Sequence, residues 1–261
     1  MSERPFSQGR LPLIVAHRGA PTERPENTLA AFAAALDAGA RAVEFDVRVT
    51  ADRQAVVIHD AALDRTTDGS GVVRAHTLTE VLRARIPGPD GRAYSVPTLQ
   101  ETLAMLSGRA SVDVEIKNVP GEPDFDPDDE VAVALLHRAL DDVGFVGDVI
   151  VSSFNPQSIA ASRERRPDVP TGLLTTVDVD AAAALHFAAE HGHAWVLPFA
   201  DRVLEQGDGF AGAVHTAGLL LGTWIVDDAA NARALLEAGA DAVATNEPRA
   251  IVEGCRDLLP A

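Results

Sequence analysis

A closed, parallel (β/α)8 TIM barrel is the fold this sequence predicts, and three observations carry the expectation. Short β-type apolar runs alternate strictly with helical patterns along the 261 residues. The α-to-β junction LDAGARAVEFD (Leu36 to Asp46) recurs 200 positions later as LEAGADAVATN (Leu236 to Asn246), each helix stopping at a glycine suited to a left-handed C-cap. The turn after the first strand reads HRGAP, without the GxGxxG expected after the first strand of an open doubly wound sheet.

The strands expected, in order, are Leu13–His17, Ala42–Val47, Ser111–Lys117, Val149–Phe154, Thr171–Leu174, Ala194–Pro198, Leu220–Val226 and Ala242–Thr245. Helical patterns start near Thr28, Thr98, Asp128, Pro156, Val179, Arg202, Asp228 and Arg249. In the first, Leu29, Phe32, Ala33 and Leu36 keep the spacing of one buried face. One segment breaks the alternation. TADRQAVVIHD (Thr50 to Asp60) is a polar turn followed by β-branched residues, expected as a hairpin above the barrel mouth. Residues 60–97 then form an inserted excursion at that mouth with a short helix near Thr79 to Ala84, where substrate preference is expected to reside. Barrels of about 250 residues fold as one unit, so residues 1–261 are expected to be a single domain.

Composition narrows the function. Hydrophobic residues make up 46% and charged residues 23%, a globular balance. The N-terminal MSERPFSQGR is polar, and the apolar run after it is too short for a signal-peptide core or a membrane span. One cysteine, Cys255, excludes an internal disulfide and suits a cytoplasmic protein, with a packing role in the last helix. A net charge of −17 repels nucleic acid and anionic lipid, and an anionic substrate would need local positive charge. Of the 22 basic residues only Lys117 is lysine.

The chemistry-bearing residues fall at strand ends. Glu44 and Asp46 are two apart on one strand and share a face, as do Asp113, Glu115 and Lys117 on another. Two like charges about 4 Å apart repel by roughly 4 kcal/mol at an effective dielectric of 20, so converging carboxylates need a cation. Arg18 and Lys117 could supply it as an ion-pair cluster. A hard divalent ion, Mg²⁺ or Ca²⁺, suits the three carboxylates Glu44, Asp46 and Glu115 better, because two histidines share the mouth. His17 ends the first strand and His59 closes the hairpin, which makes them candidates for an acid–base pair. Zinc is not expected, since HExxH and cysteine ligands are missing.

HRG with PENT close behind, EFDV, VVIHD followed by DRTTDGSG, VEIK, SSF, GTWIVDD and ATNEP occur in this order over nearly the whole chain. Together they resemble the glycerophosphodiester phosphodiesterase family. The resemblance implies a (β/α)8 barrel with a small insertion after its second strand. It also implies metal-dependent hydrolysis of glycerophosphodiesters to glycerol 3-phosphate and an alcohol. By the same resemblance His17 and His59 are the acid–base pair, Glu44, Asp46 and Glu115 the metal ligands, and Arg18 and Lys117 the phosphate-binding groups. Trp224 corresponds to an aromatic that lines the glycerol pocket; a packing role stands beside that reading. Ile225 and Asp227 replace the threonine and asparagine the family often carries, which bears on substrate preference. Glu26 and Asn27 are expected to cap the first helix and brace its loop.

The nucleophile is either water or the substrate's glycerol 2-hydroxyl; the resemblance favours the second. The expected partner is a small glycerophosphodiester, with no nucleic acid and no membrane span; the oligomeric state is open. A lysophospholipase D-type or sphingomyelinase D-like activity on lysophospholipids is the alternative, and needs an apolar ledge from Leu63, Val72, Val73, Leu78 or Leu82. A barrel that binds phosphodiesters or a protein without turnover would be signalled by a lost histidine or ligand, and all are present.

Overall fold

The computed structural model describes residues 11–207 and 209–260. The polar N-terminal segment lies outside the described residues. Strands β1 (Leu13–His17), β2 (Ala42–Val49), β6 (Ser111–Ile116), β7 (Val149–Ser153), β8 (Thr171–Leu174), β9 (Trp195–Leu197), β10 (Leu220–Thr223) and β11 (Ala242–Thr245) pair in parallel, and β1 pairs with both β2 and β11. That second pairing closes the barrel. Helices cross back between successive strands, as expected.

β2 runs two residues past the expected end because β3 (Ala55–Val57) pairs with it antiparallel, Val47 opposite Val57 and Val49 opposite Ala55. The excursion adds a hairpin, β4 (Arg85–Pro87) with β5 (Ala93–Ser95), and a helix at Leu78–Val81. This helix starts slightly earlier than expected because Thr77 and Glu80 form a capping box. Leu63, Val73, Val81 and Ile86 of the excursion form a small separate core with Val56 and Ile58 from β3 and the residue after it. One expected helix, from Arg202 toward β10, is two: Ala200–Gln206 and Phe210–Thr216. Gly207 and Gly209 between them take φ values of 69° and 103°, which interrupt the helical path.

Alternation along the strands divides the side chains. Val43, Phe45 and Val47 point outward and pack with Phe32, Leu99 and Leu103 from the helices, all wholly or almost wholly buried. Burying each such side chain is worth about 1.5–3 kcal/mol. The inward residues Leu13, Val15, Ile150, Trp195 and Leu197 fill the barrel interior. A Cβ on Gly172 or Gly222 would lie 2.7 or 2.5 Å from Leu197, so these glycines leave the space that Leu197 occupies. Above this plug, at the carboxyl ends of β1, β2 and β6, the inward positions turn polar.

Candidate active site

β1 delivers His17 inward and then turns sharply. Arg18 sits in the left-handed region (φ 55°) and so does Gly19 (φ 88°), where a Cβ would lie 2.6 Å from the Ala31 backbone. The turn aims the Arg18 backbone N–H at Glu44 Oε2 (2.9 Å), while the Arg18 carbonyl accepts from the Asn27 N–H (3.0 Å). The guanidinium donates to Glu26 Oε1 (3.1 Å) and lies 3.3 Å from Asp46 Oδ2. Thr28, not Glu26 or Asn27, caps the first helix, its hydroxyl accepting from the Ala31 N–H. The bracing role holds: Asn27 donates its amide to Asp46 Oδ2 at 2.7 Å.

β2 and β6 lie in register, Asp46 opposite Glu115, which brings the three carboxylates together. Glu44, Asp46 and Glu115 are buried, and each offers an oxygen within 4.8 Å of the others; among the described residues this is a group that could hold a metal ion. Lys117 Nζ donates to Glu115 Oε1 (2.7 Å) and lies 3.6 Å from Asp46 Oδ1. Glu44 Oε1 and Asp46 Oδ1 are buried without a hydrogen-bond partner. The two nearby cations therefore leave carboxylate oxygens unsatisfied, and these hard donors fit a divalent ion.

Electrostatics express the same crowding. Burial, reinforced by Asp46 and then Glu115, raises the Glu44 carboxyl well above its usual range. Burial also lifts Glu115 to about 7 against the pull of Lys117. Burial opposes ionisation of Asp46 as well, but Lys117 and Arg18 hold it well below the usual carboxylate range. Asp113, one step deeper in the barrel, is pushed up to about 7 by burial and accepts from Ser152 Oγ at 2.6 Å.

The two histidines face one cavity but have different supports. His17 Nδ1 lies 2.8 Å from Asn246 Oδ1, and its Nε2 lies 3.9 Å from Glu44. Asp227 accepts from both the Asn246 amide (2.8 Å) and its backbone N–H (2.7 Å). His59 Nδ1 lies 2.6 Å from Asp60 Oδ1. Burial and the Arg18 charge lower His17 to about 4, and burial also lowers His59. Behind them Arg48, 1% exposed, donates to the carbonyls of His59 (2.6 Å) and Lys117 (3.3 Å) and to both Asp124 oxygens (2.8 and 2.7 Å).

The cavity, of about 180 Å³, is lined by His17, Arg18, Glu44, His59, Glu115, Lys117 and Trp224, with Asp46 sealed behind the other two carboxylates. All eight sequence-derived site residues thus meet at one mouth. Trp224 combines two positions in the structure. It lines the cavity, and it packs edge-on against Phe154 and Phe199 (5.3 Å each) with its indole N–H donating to the Leu197 carbonyl (3.0 Å). Sequence reasoning assigned no role to Asn246, Asp227 as a support, Asp60, Arg65 or Arg48. Of these only Asp60 carried a local signal, its adjacency to His59.

The model of the family described as "Glycerophosphoryl diester phosphodiesterase family" matches residues 17–250. The chain is similar to the glycerophosphodiester phosphodiesterase of Caldanaerobacter subterraneus subsp. tengcongensis, 30% identical over 248 residues, covering 92% of this chain and 96% of that protein. Among solved structures it resembles the glycerophosphodiester phosphodiesterase of Agrobacterium tumefaciens at 28% identity, with a TM-score of 0.78 over 92% of this chain and 99% of that one. It shares its fold with an Oleispira antarctica phosphodiesterase solved with the product sn-glycerol-3-phosphate, at 24% identity and a TM-score of 0.80, over 94% and 97% of the two chains.

Proposed function

The chain belongs to the glycerophosphoryl diester phosphodiesterase family and is an enzyme of that class, and on that premise we propose how its own residues do the work. It hydrolyses glycerophosphodiesters to glycerol 3-phosphate and an alcohol, with a divalent cation on Glu44, Asp46 and Glu115. The carrying observation is the buried carboxylate triad with two orphaned oxygens, flanked by two histidines on one cavity. Oxygen-only donors favour Mg²⁺ or Ca²⁺. When bound, the ion supplies charge neutralisation at the phosphate oxygens.

The histidine supports suggest a division of labour. Asp227 takes the Asn246 N–H groups and so orients its amide, leaving the Asn246 oxygen to face His17. An amide oxygen only accepts, so His17 carries its proton on Nδ1 and offers a bare Nε2, the arrangement of a base. His59 has a carboxylate behind it, which stabilises an imidazolium and suits the acid. His17 takes the proton of the glycerol 2-hydroxyl as its oxygen bonds to phosphorus. The bond from phosphorus to the headgroup oxygen breaks, and His59 protonates that oxygen. Water then opens the cyclic phosphate with the two roles exchanged, giving glycerol 3-phosphate. Arg18 and Lys117 hold the phosphate oxygens and meet the charge that grows on them, while Trp224 packs on the organic part.

Residues 60–97 form the inserted excursion of a single barrel domain in this reading. Leu63 and Val73, two of the residues a lipid ledge would need, are buried in the small core they share with Val56 and Ile58. That favours a small glycerophosphodiester over a lysophospholipid. Hydrolysis assays on a panel of both substrate types, with and without chelator, test the reading; turnover confined to lysophospholipids would overturn its substrate assignment.

A further inference from the structure

We propose that Arg65, from the DRTTDGSG segment of the excursion, is a positioning residue for the general acid, holding Asp60 in place behind His59. The proposal rests on the reading of His59 as that acid. Arg65 grips two carboxylates at once. Its Nε donates to Asp60 Oδ2 (2.5 Å) and its Nη2 to Asp60 Oδ1 (2.9 Å); Nη1 and Nη2 donate to Glu26 Oε2 (3.0 Å) and Oε1 (2.7 Å). Asp60 in turn supports His59 Nδ1 at 2.6 Å, and Glu26 Oε1 also accepts from Arg18. A continuous chain of charged contacts, His59–Asp60–Arg65–Glu26–Arg18, therefore joins the acid to the phosphate-binding end of β1.

The planar fork is what makes this possible. A guanidinium satisfies two carboxylates in fixed directions, whereas an ammonium is a single point. Asp60 is about a quarter exposed at its side chain (27%), so without the fork its carboxylate can turn to water and release the ring. His59 is comparably open (28%), and its ring nitrogen is hydrogen-bonded to Asp60. Arg65, Asp60 and Glu26 do not line the cavity, so Arg65 acts on the substrate only through His59, by way of Asp60, and Arg18, by way of Glu26.

The test uses leaving groups. An alkoxide headgroup such as choline needs a proton to depart, whereas p-nitrophenolate does not. Steady-state kinetics at saturating metal would compare wild type, Arg65→Ala, Arg65→Lys and His59→Ala. The substrates are glycerophosphocholine and the p-nitrophenyl ester of glycerol 3-phosphate. Arg65→Ala should lose about tenfold in kcat on the choline ester and less than about twofold on the nitrophenyl ester, with KM little changed and Arg65→Lys between. The Arg65 side chain is 47% exposed, so the melting temperature should hold. If His59→Ala discriminates between the substrates and Arg65→Ala does not, the proposal falls alone. If His59→Ala does not discriminate, the acid assignment falls and takes the proposal with it. A loss by Arg65→Ala that is equal on both substrates would place its effect on the phosphate-binding side, through Glu26 and Arg18, and also overturn it.

Discussion

The two sides of the cavity are built from different chemistry. β1, β2 and β6 bring His17, Arg18, Glu44, Glu115 and Lys117, while the wall from β7 to β11 brings Ile150, Phe154, Leu174, Leu197 and Trp224. On the first side each charge is set by its neighbours. Removing one leaves others buried and unpaired, which is costly. On the second side a removed group loses contact area at about 25 cal/mol per Å², a graded effect. A phosphodiester has the same division, an anionic centre with organic arms. The difference teaches where large and small effects of substitution should fall.

The largest effect should come from withholding divalent cations from the charged side. Chelation should abolish turnover, with Mg²⁺ or Ca²⁺ restoring it. Ion at about 100 times its Kd should also stabilise the fold by about 2.7 kcal/mol, visible as a raised melting temperature. Full activity in a chelated, metal-stripped sample would remove the triad from catalysis. Next, His17→Ala and His59→Ala should each cost about 10²–10⁴ in kcat on alkoxide substrates, with thermal melts near wild type. Near-normal turnover in either variant would take that histidine out of the pair.

Lys117 comes third. Lys117→Ala should weaken both KM and kcat, by roughly tenfold or more in kcat/KM, since charge on the phosphate grows toward the transition state. Lys117→Arg should also be poorly tolerated, because a broad fork at 2.7 Å from Glu115 and 3.6 Å from Asp46 would pair off both carboxylates. Wild-type kinetics for the arginine variant would show that charge alone matters. On the apolar side, Trp224→Leu should act mainly through KM, by about tenfold or less. A kcat collapse there would break the comparison between the walls.

The smallest effect on activity, none at neutral pH, concerns histidines outside both walls. Burial lowers His137 and His193 to about 4. Between their unfolded value near 6.5 and about 4 the unfolded chain binds more protons, so stability falls as pH falls through that window. The loss should be on the order of 2 kcal/mol per histidine at pH 5. Urea unfolding of wild type and His137→Gln at pH 7 and 5 would measure it as the difference between the two proteins, since the raised carboxyls Asp113 and Glu115 act in the opposite direction in both; equal pH shifts in wild type and variant would contradict it.

Much of this molecule was legible before folding. β1, β8 and β11 have the bounds their apolar runs imply, and Glu44 with Asp46 shares a face because strand alternation is local. Legibility failed where a partner lies elsewhere. β2 is longer than its own residues suggest because β3 pairs with it. The helix expected from Arg202 breaks at two glycines that a periodicity reading passes over.

By itself the sequence determined the alternation that makes a barrel, the inward carboxylates, the paired histidines and the singular lysine, since each follows from period, spacing or composition. Tertiary structure alone decided how those groups are held. His17 meets Asn246 across 229 positions, Arg65 reaches Glu26 across 39, and Asn27 meets Asp46 across 19. Those pairings arise because barrel closure brings β1 between β2 and β11, with the loops at their carboxyl ends sharing one mouth. A hydrogen bond needs its partner within about 3 Å in a fixed direction; only the closed barrel fixes both for His17 and Asn246, whereas His59 has the Asp60 carboxylate beside it in sequence.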